Sequence, residues 1–532
     1  MNNAELIALG LEHAGARWAF GVPSGPVLPL IEALRATSIQ YVLTASETSA
    51  GFMAATVGAL TGVPGVCIST LGPGATNMAT GVGAAWLDRA PVIAITGNLE
   101  TRWLARRAQM RIDHHALFAP LTKATLPLRE GSVGETLGRA VALALAEPPG
   151  PVHLDLPEDV SLATAGDELA GSRQARRAFA PVAAEALEKV SAALAGARRP
   201  ILVAGLSLTR AAHPERLLEF VEAQSLPFVL TLNGKGYLPE HHPLYAGVIG
   251  RARRTDVAAL VRQADLIVAV GYDPIEINYE EWAGATPIVH LDTEVAEMDD
   301  ALRFAVNAAG DLDDLIGRLT ALPASGNDWT EAELAAHRTR LDANLRPAVA
   351  GFAPHQALDV LRGRMPDDGI LVSDVGAHEH QIGSQWRTDL PGTLLATNGW
   401  SSMGFGIPAT YAAKLVHPDR RVVGVIGDGC FQMTAGEVTV GRRMGLAAPI
   451  VVLNDGWLTL LRIKQDHKGY GLSGVNLAAR VEAPAHYFGV PCRPAHTPAE
   501  FEAALDWAFA VDGPSIVEAF IEPEAYLTTV YD

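Results

Sequence analysis

The sequence predicts an α/β protein of three doubly wound parallel-sheet domains, on three observations. Short apolar runs alternate with helical stretches along most of the chain, the βαβα rhythm of a parallel sheet covered by helices on both faces. Two polar stretches interrupt that rhythm. The first and last units share it closely, so two similar domains flank a third. The length of 532 residues agrees, since a prior of roughly 150 residues per domain gives about three.

The first domain is expected over residues 1–162. Its opening, "MNNAELIALGLEHAG", lacks a basic leader and reads as an amphipathic helix joining the fold directly, so no signal peptide is expected. Its strands are "RWAFGVP", "IQYVLTAS", "PGVCISTLGPG", "APVIAITGN" and "GPVHLDLP". Residues 163–182 are charged and poor in apolar anchors, and read as a linker. The second domain, 183–322, opens on the helix "AAEALEKVSAALAGA" and continues through "RRPILVAGLS", "LPFVLTLNGKGYLP", "ADLIVAVGYDP" and "TPIVHLDTE". A second linker is expected over 323–350, beginning "PASGNDWTEAEL". The third domain, 351–532, carries "GILVSDVGAH", "RVVGVIG", "APIVVLNDG" and "GPSIVEAFI".

Charge and cysteine content narrow the function classes. Lys+Arg 41 against Asp+Glu 59 gives a net charge of −18, which argues against nucleic acid or an acidic membrane face as partner. A small anionic substrate remains compatible. Cys67, Cys430 and Cys492 are odd in number and widely spaced, as expected of reduced thiols in a cytoplasmic protein without a zinc site. No apolar run reaches the ~18 residues that a membrane span requires.

The densest chemical signal is "RVVGVIGDGCFQM", where a fully apolar strand ends in Asp428 between Gly427 and Gly429. A bare carboxylate there is costly unless something positive meets it. The next buried strand ends in Asn454 and Asp455. Ligands of open α/β sheets gather at the carboxyl ends of strands, so Asp428 and Asp455 are placed to share one hard divalent cation such as Mg2+. The glycines let backbone amides approach a phosphate. Asp428 alone would more simply cap the following helix.

A GDG followed one strand later by an Asn-rich strand end resembles the thiamine diphosphate signature. The resemblance extends over nearly the whole chain and is greatest to acetolactate synthase-like and 2-oxo acid decarboxylase-like enzymes. It implies a pyrimidine-binding domain, a central domain and a diphosphate-binding domain, in that order. It implies Mg2+ held by Asp428, Asp455 and the Trp457 carbonyl. Asp455 stands where asparagine is more usual, and oxygen ligation survives the change. Gly427, Gly429, Cys430, Asn454, Ser401 and His378 are implied at the cofactor, with Met403 propping it into a bent shape. The implied catalytic acid is Glu47 in "TASETSAGF", which would hydrogen-bond the aminopyrimidine, although an acid at a helix N-terminus also simply complements the dipole. The resemblance further implies active sites between subunits of a homodimer or homotetramer, with "TLGPGATN" at the contact.

It also implies reaction at a 2-oxo acid, pyruvate or a related donor, with transfer of the acyl unit to a second carbonyl; release of an aldehyde by simple decarboxylation is the alternative. Thr70 follows the strand after Glu47, where several decarboxylases place a histidine. His114 and His115 resemble the paired histidines of pyruvate decarboxylases, or form a satisfied surface pair, while the neighbouring "LFAPLTK" is similar to acetolactate synthases. Gln109 and Met110 fall near expected substrate contacts, and Trp400 and Leu458 are expected to shape the pocket. "GYDP" offers no phosphate loop, and no required FAD is expected.

Overall fold

The protein is described by a computed structural model covering residues 1–169, 181–277, 280–297, 302–478 and 482–531. The apolar runs form three sheets. In the N-terminal sheet, β1 (Trp18–Gly21), β2 (Gln40–Leu43), β3 (Gly65–Ser69), β4 (Val92–Asn98), β5 (Ala124–Pro127) and β6 (Pro151–Pro157) lie in the order β2-β1-β3-β4-β6-β5. In the central sheet, β7 (Pro200–Ala204), β8 (Phe228–Leu230), β9 (Tyr245–Val248), β10 (Leu266–Val270), β11 (Ile288–Asp292) and β12 (Phe304–Ala309) lie in the order β12-β11-β10-β7-β8-β9. The C-terminal sheet contains β13 (Ile370–Ser373), β14 (Leu394–Ala396), β15 (Val422–Gly427), β16 (Ile450–Asn454), β17 (His486–Tyr487), β18 (Val490–Ala495) and β19 (Ile516–Phe520), ordered β14-β13-β15-β16-β19-β18-β17. All pairings are parallel except β17 with β18.

Those orders position the chemistry. In the C-terminal sheet the chain runs outward from β13 to β14 and then crosses back to β15, so the strand order reverses between β13 and β15. The crevice at such a reversal, beyond the carboxyl ends of the strands, is where this architecture leaves room for a ligand. Asp374 follows β13 and Asp428 follows β15, so both border it.

The N-terminal and C-terminal domains share a core. Phe52, Met53, Met78 and Val82 pack with Phe405, Ile407, Tyr411, Phe431 and Val438. The Phe52 and Phe405 rings meet edge to face at 5.7 Å. Within the N-terminal domain the helices Glu47–Thr61 and Pro73–Leu87 cross at Gly51 and Gly81. A Cβ on Gly81 would lie 2.6 Å from the Gly51 Cα, backbone against backbone. Gly81→Ala is therefore expected to destabilise the fold by about 1–3 kcal/mol, seen as a lower denaturation midpoint.

The stretch expected as a linker at 323–350 contains the helix Glu331–Asn344. Thr330 and Glu333 form a reciprocal capping box at its start, and Leu334 and Leu341 bury one face. His337 Nε2 donates to the Ala246 carbonyl at 2.9 Å, which ties the helix to the central domain. Of the expected linker at 163–182, residues 170–180 lie outside the described residues; its start pairs with the N-terminus through Thr164 and Asn2. The three cysteines are free and buried. No helix among the described residues is long and apolar enough to cross a membrane.

Candidate active site

Asp428 opens the helix Asp428–Thr434 directly after β15 and is buried. Its Oδ1 accepts from the Gly429 amide at 3.0 Å and its Oδ2 from the Gly456 amide at 2.9 Å. Asp455 lies at the end of the neighbouring β16, equally buried. Its Oδ1 accepts from the Trp457 amide at 2.9 Å, and its Oδ2 from the Thr459 hydroxyl at 2.7 Å. Burial, followed by the Asp455 charge, pushes the Asp428 pKa up to about 7. Two buried carboxylates with mutual repulsion and, among the described residues, only neutral hydrogen-bond donors on Asp428 make a donor set suited to a hard cation.

Around this pair the crevice alternates backbone and apolar surface. A Cβ on Gly427 would lie 3.1 Å from the His378 ring, and one on Gly429 would lie 2.7 Å from Leu458 Cδ2 and 3.3 Å from Met403 Cε. Met403 and Leu458 thus form an apolar wall over the start of the helix. His378 is buried, its Nε2 has no partner among the described residues, and desolvation pushes its pKa down to about 4, so the ring is neutral. An orphan ring nitrogen between two strand ends, glycines that permit close approach and a buried carboxylate pair fit a metal-bound diphosphate.

Sequence reasoning missed Asp374, whose "VSDVG" strand end parallels "VIGDG". It is fully buried and accepts from the amides of Val375 (2.7 Å), Gly404 (3.0 Å) and Gly406 (2.8 Å). It thereby holds the 401–406 segment, with Met403, against the end of β13. Cys430 donates its thiol to the Val375 carbonyl at 3.1 Å, and burial raises its pKa, so it is an inert packing group. Asn454 turns away from the aspartate pair and donates its amide to Glu518 at 2.7 Å. Ser401 is exposed, and its hydroxyl donates to the Asn398 carbonyl at 2.7 Å.

Glu47 is the first residue of the helix Glu47–Thr61, capped by Ser46. Its Oε2 accepts from Asn77 Nδ2 at 3.1 Å, and a Cβ on Gly74 would lie 3.1 Å from its Oε1. Thr70 packs against the same glycine. Glu437 of the C-terminal domain, also missed, accepts from the amides of Ala45 (3.1 Å) and Ser46 (3.0 Å). It bolts the start of the Glu47 helix to the domain that carries Asp428.

His114 corrects the surface-pair expectation. It is 1% exposed, and its Nε2 accepts from the Gly72 amide at 3.2 Å while Nδ1 lies 3.0 Å from Asp155 Oδ1. His153 lies beside it, neutral because burial pushes its pKa down to about 3. His114, His153 and Asp155 carry ligand atoms close enough for a metal. The Thr96 hydroxyl sits between them instead, 2.9 Å, 2.8 Å and 3.2 Å from the three. That position is where an ion would have to be, so this is a hydrogen-bonded core. His115 is half-buried, with Nδ1 on the Thr125 hydroxyl at 2.6 Å. Trp400, expected at the pocket, lays its ring on Gly83, where a Cβ would lie 2.6 Å from it; a missing side chain on another domain makes this fit, so the ring serves the domain contact. Trp457 instead lies under the Arg462 guanidinium at 4.8 Å. Gln109 and Met110 are exposed.

The chain matches three successive descriptions: "Thiamine pyrophosphate enzyme, N-terminal TPP binding domain" over residues 1–117, the central domain of the same family over 187–319, and its C-terminal TPP binding domain over 374–519. It is 30% identical to the acetolactate synthase isozyme 2 large subunit of Escherichia coli (strain K12), over 98% of this chain and 96% of that protein. It is 29% identical to the probable acetolactate synthase large subunit of Methanocaldococcus jannaschii, over 100% of this chain and 93% of that protein. It is 28% identical to the acetolactate synthase of Bacillus subtilis (strain 168), over 98% of this chain and 93% of that protein.

Proposed function

Because the chain belongs to the thiamine pyrophosphate enzyme family and is acetolactate synthase-like over its full length, we propose that it is a carboligase. In this reading it decarboxylates pyruvate or a related 2-oxo acid and transfers the acyl unit to a second carbonyl. The observation that supports it most is the buried Asp428–Asp455 pair at the strand-order reversal of the C-terminal sheet.

When bound, thiamine diphosphate supplies a stabilised carbanion for breaking and remaking bonds at a carbonyl carbon. The protein's part is to hold, orient and dry it. Asp428, Asp455 and the Trp457 carbonyl would hold Mg2+. The Gly427–Cys430 backbone and His378 would face the diphosphate, and Met403 and Leu458 would support the rings. Glu47 would hold a proton against a pyrimidine nitrogen. The relatives are named as large subunits, which supports association between chains. We therefore place the complete site between two copies, in a homodimer or homotetramer.

In this reading flavin is not required. The histidine pair no longer argues for simple decarboxylation, since His114 is engaged by Gly72 and Asp155 and His115 by Thr125. Incubation with pyruvate, alone and with 2-oxobutyrate, is expected to yield CO₂ and a 2-hydroxy-ketone. Free aldehyde as the main product would assign the decarboxylase reading instead.

A further inference from the structure

We propose that His114, oriented by Asp155, is a positioning residue for Glu47, acting through the Gly72 turn; this rests on the carboligase reading. The Gly72 amide can only donate, so the His114 Nε2 that faces it at 3.2 Å is an acceptor. The ring proton is then on Nδ1, which faces Asp155 Oδ1 at 3.0 Å and the Thr96 hydroxyl at 2.9 Å. Asn98 Nδ2 donates to both Asp155 oxygens at 3.0 Å. Burial pulls the Asp155 pKa upward, yet His114 and Asn98 together hold it below the ordinary carboxylate range. The carboxylate is thus an anion that selects one imidazole tautomer, and that tautomer presents a lone pair to one backbone amide.

That amide belongs to a turn with little freedom. Gly72 has φ +59°, and a Cβ there would lie 2.2 Å from the Met110 carbonyl oxygen. It precedes Pro73, the first residue of the helix Pro73–Leu87, and its carbonyl accepts the first helical bond from Thr76 at 2.9 Å. The same first turns carry Gly74, against Glu47 Oε1, and Asn77, the donor to Glu47 Oε2. Moving the turn moves both contacts of the carboxylate. His115, one residue on, places Nδ1 on Thr125 and Nε2 3.7 Å from Asp155 Oδ2, and among the described residues it makes no hydrogen bond to the Gly72 turn.

The test compares His114→Gln with His114→Asn in the full chain with thiamine diphosphate and Mg2+. A glutamine amide reaches about as far as Nε2 and retains an acceptor for Gly72; an asparagine amide reaches only as far as Nδ1. His114→Asn is expected to lower kcat on the order of 10²-fold with little change in the KM for the 2-oxo acid. Backbone hydrogen exchange across residues 70–77 should accelerate in parallel. His114→Gln should recover most of both. Asp155→Asn, which disturbs the tautomer from the other side, should behave as His114→Asn and serves if that variant does not fold. A raised KM with unchanged kcat would make His114 a substrate contact and overturn the proposal. So would exchange at 70–77 that neither His114→Asn nor Asp155→Asn alters. If the wild-type chain turns over no 2-oxo acid, the carboligase reading falls, and the exchange comparison still decides whether His114 holds the turn.

Discussion

Glu47→Gln is expected to lower turnover by about 10²- to 10⁴-fold, the usual range for loss of a positioned acid–base group. The substitution keeps the shape and an oxygen to accept from Asn77 Nδ2. It removes the ability to give and take a proton. The amide still offers the pyrimidine a hydrogen-bonding contact, and Asp428 and Asp455 are untouched, so binding of thiamine diphosphate and Mg2+ by calorimetry should stay within about threefold of wild type. A variant with wild-type turnover would remove Glu47 from the chemistry; one that loses binding as well as turnover would place it in the diphosphate half of the site.

Asp428→Asn is expected to weaken Mg2+-dependent cofactor binding by at least about a hundredfold, the scale of losing one partner of a buried charge contact. The pH dependence follows from the raised pKa. Without metal, the folded protein holds a proton on Asp428 between the ordinary carboxylate range and about 7, where the unfolded chain does not. This group therefore makes the metal-free fold less stable as pH rises through that window. Mg2+ requires the ionised form, so its affinity should fall as pH drops below about 7 and protons compete. Asp428→Asn should lose both trends. Other buried acids, Asp88 at about 6 and Glu379 at about 7 among them, titrate nearby, so the comparison with the variant, not the wild-type curve alone, carries the assignment.

The parallel sheets were legible because each buried strand is a short continuous apolar run, and Asp428 and Asp455 were legible because they end two such runs. What the sequence hid is long-range. "VHLDLP" reads as an ordinary strand, and nothing local shows that His153 and Asp155 meet His114 across the sheet. Asp374 ends its strand as Asp428 does, but its partners are amides some 30 residues away, Gly404 and Gly406. Trp400 looked like a pocket wall because its partner is an absence, the missing side chain of Gly83. The helix within 323–350 carried a readable start in Thr330 and Glu333, but its polar surface masked the two leucines that dock it. Glu437 left no local signal at all, since its partners are amides near Glu47 in a different domain.

The most direct measurement is a crystal structure of the chain grown with thiamine diphosphate and Mg2+. A metal touching Asp428, Asp455 and the diphosphate is expected, with the Glu47 of a second copy at the pyrimidine ring. Cofactor bound elsewhere, or a metal that touches neither aspartate, would contradict that expectation.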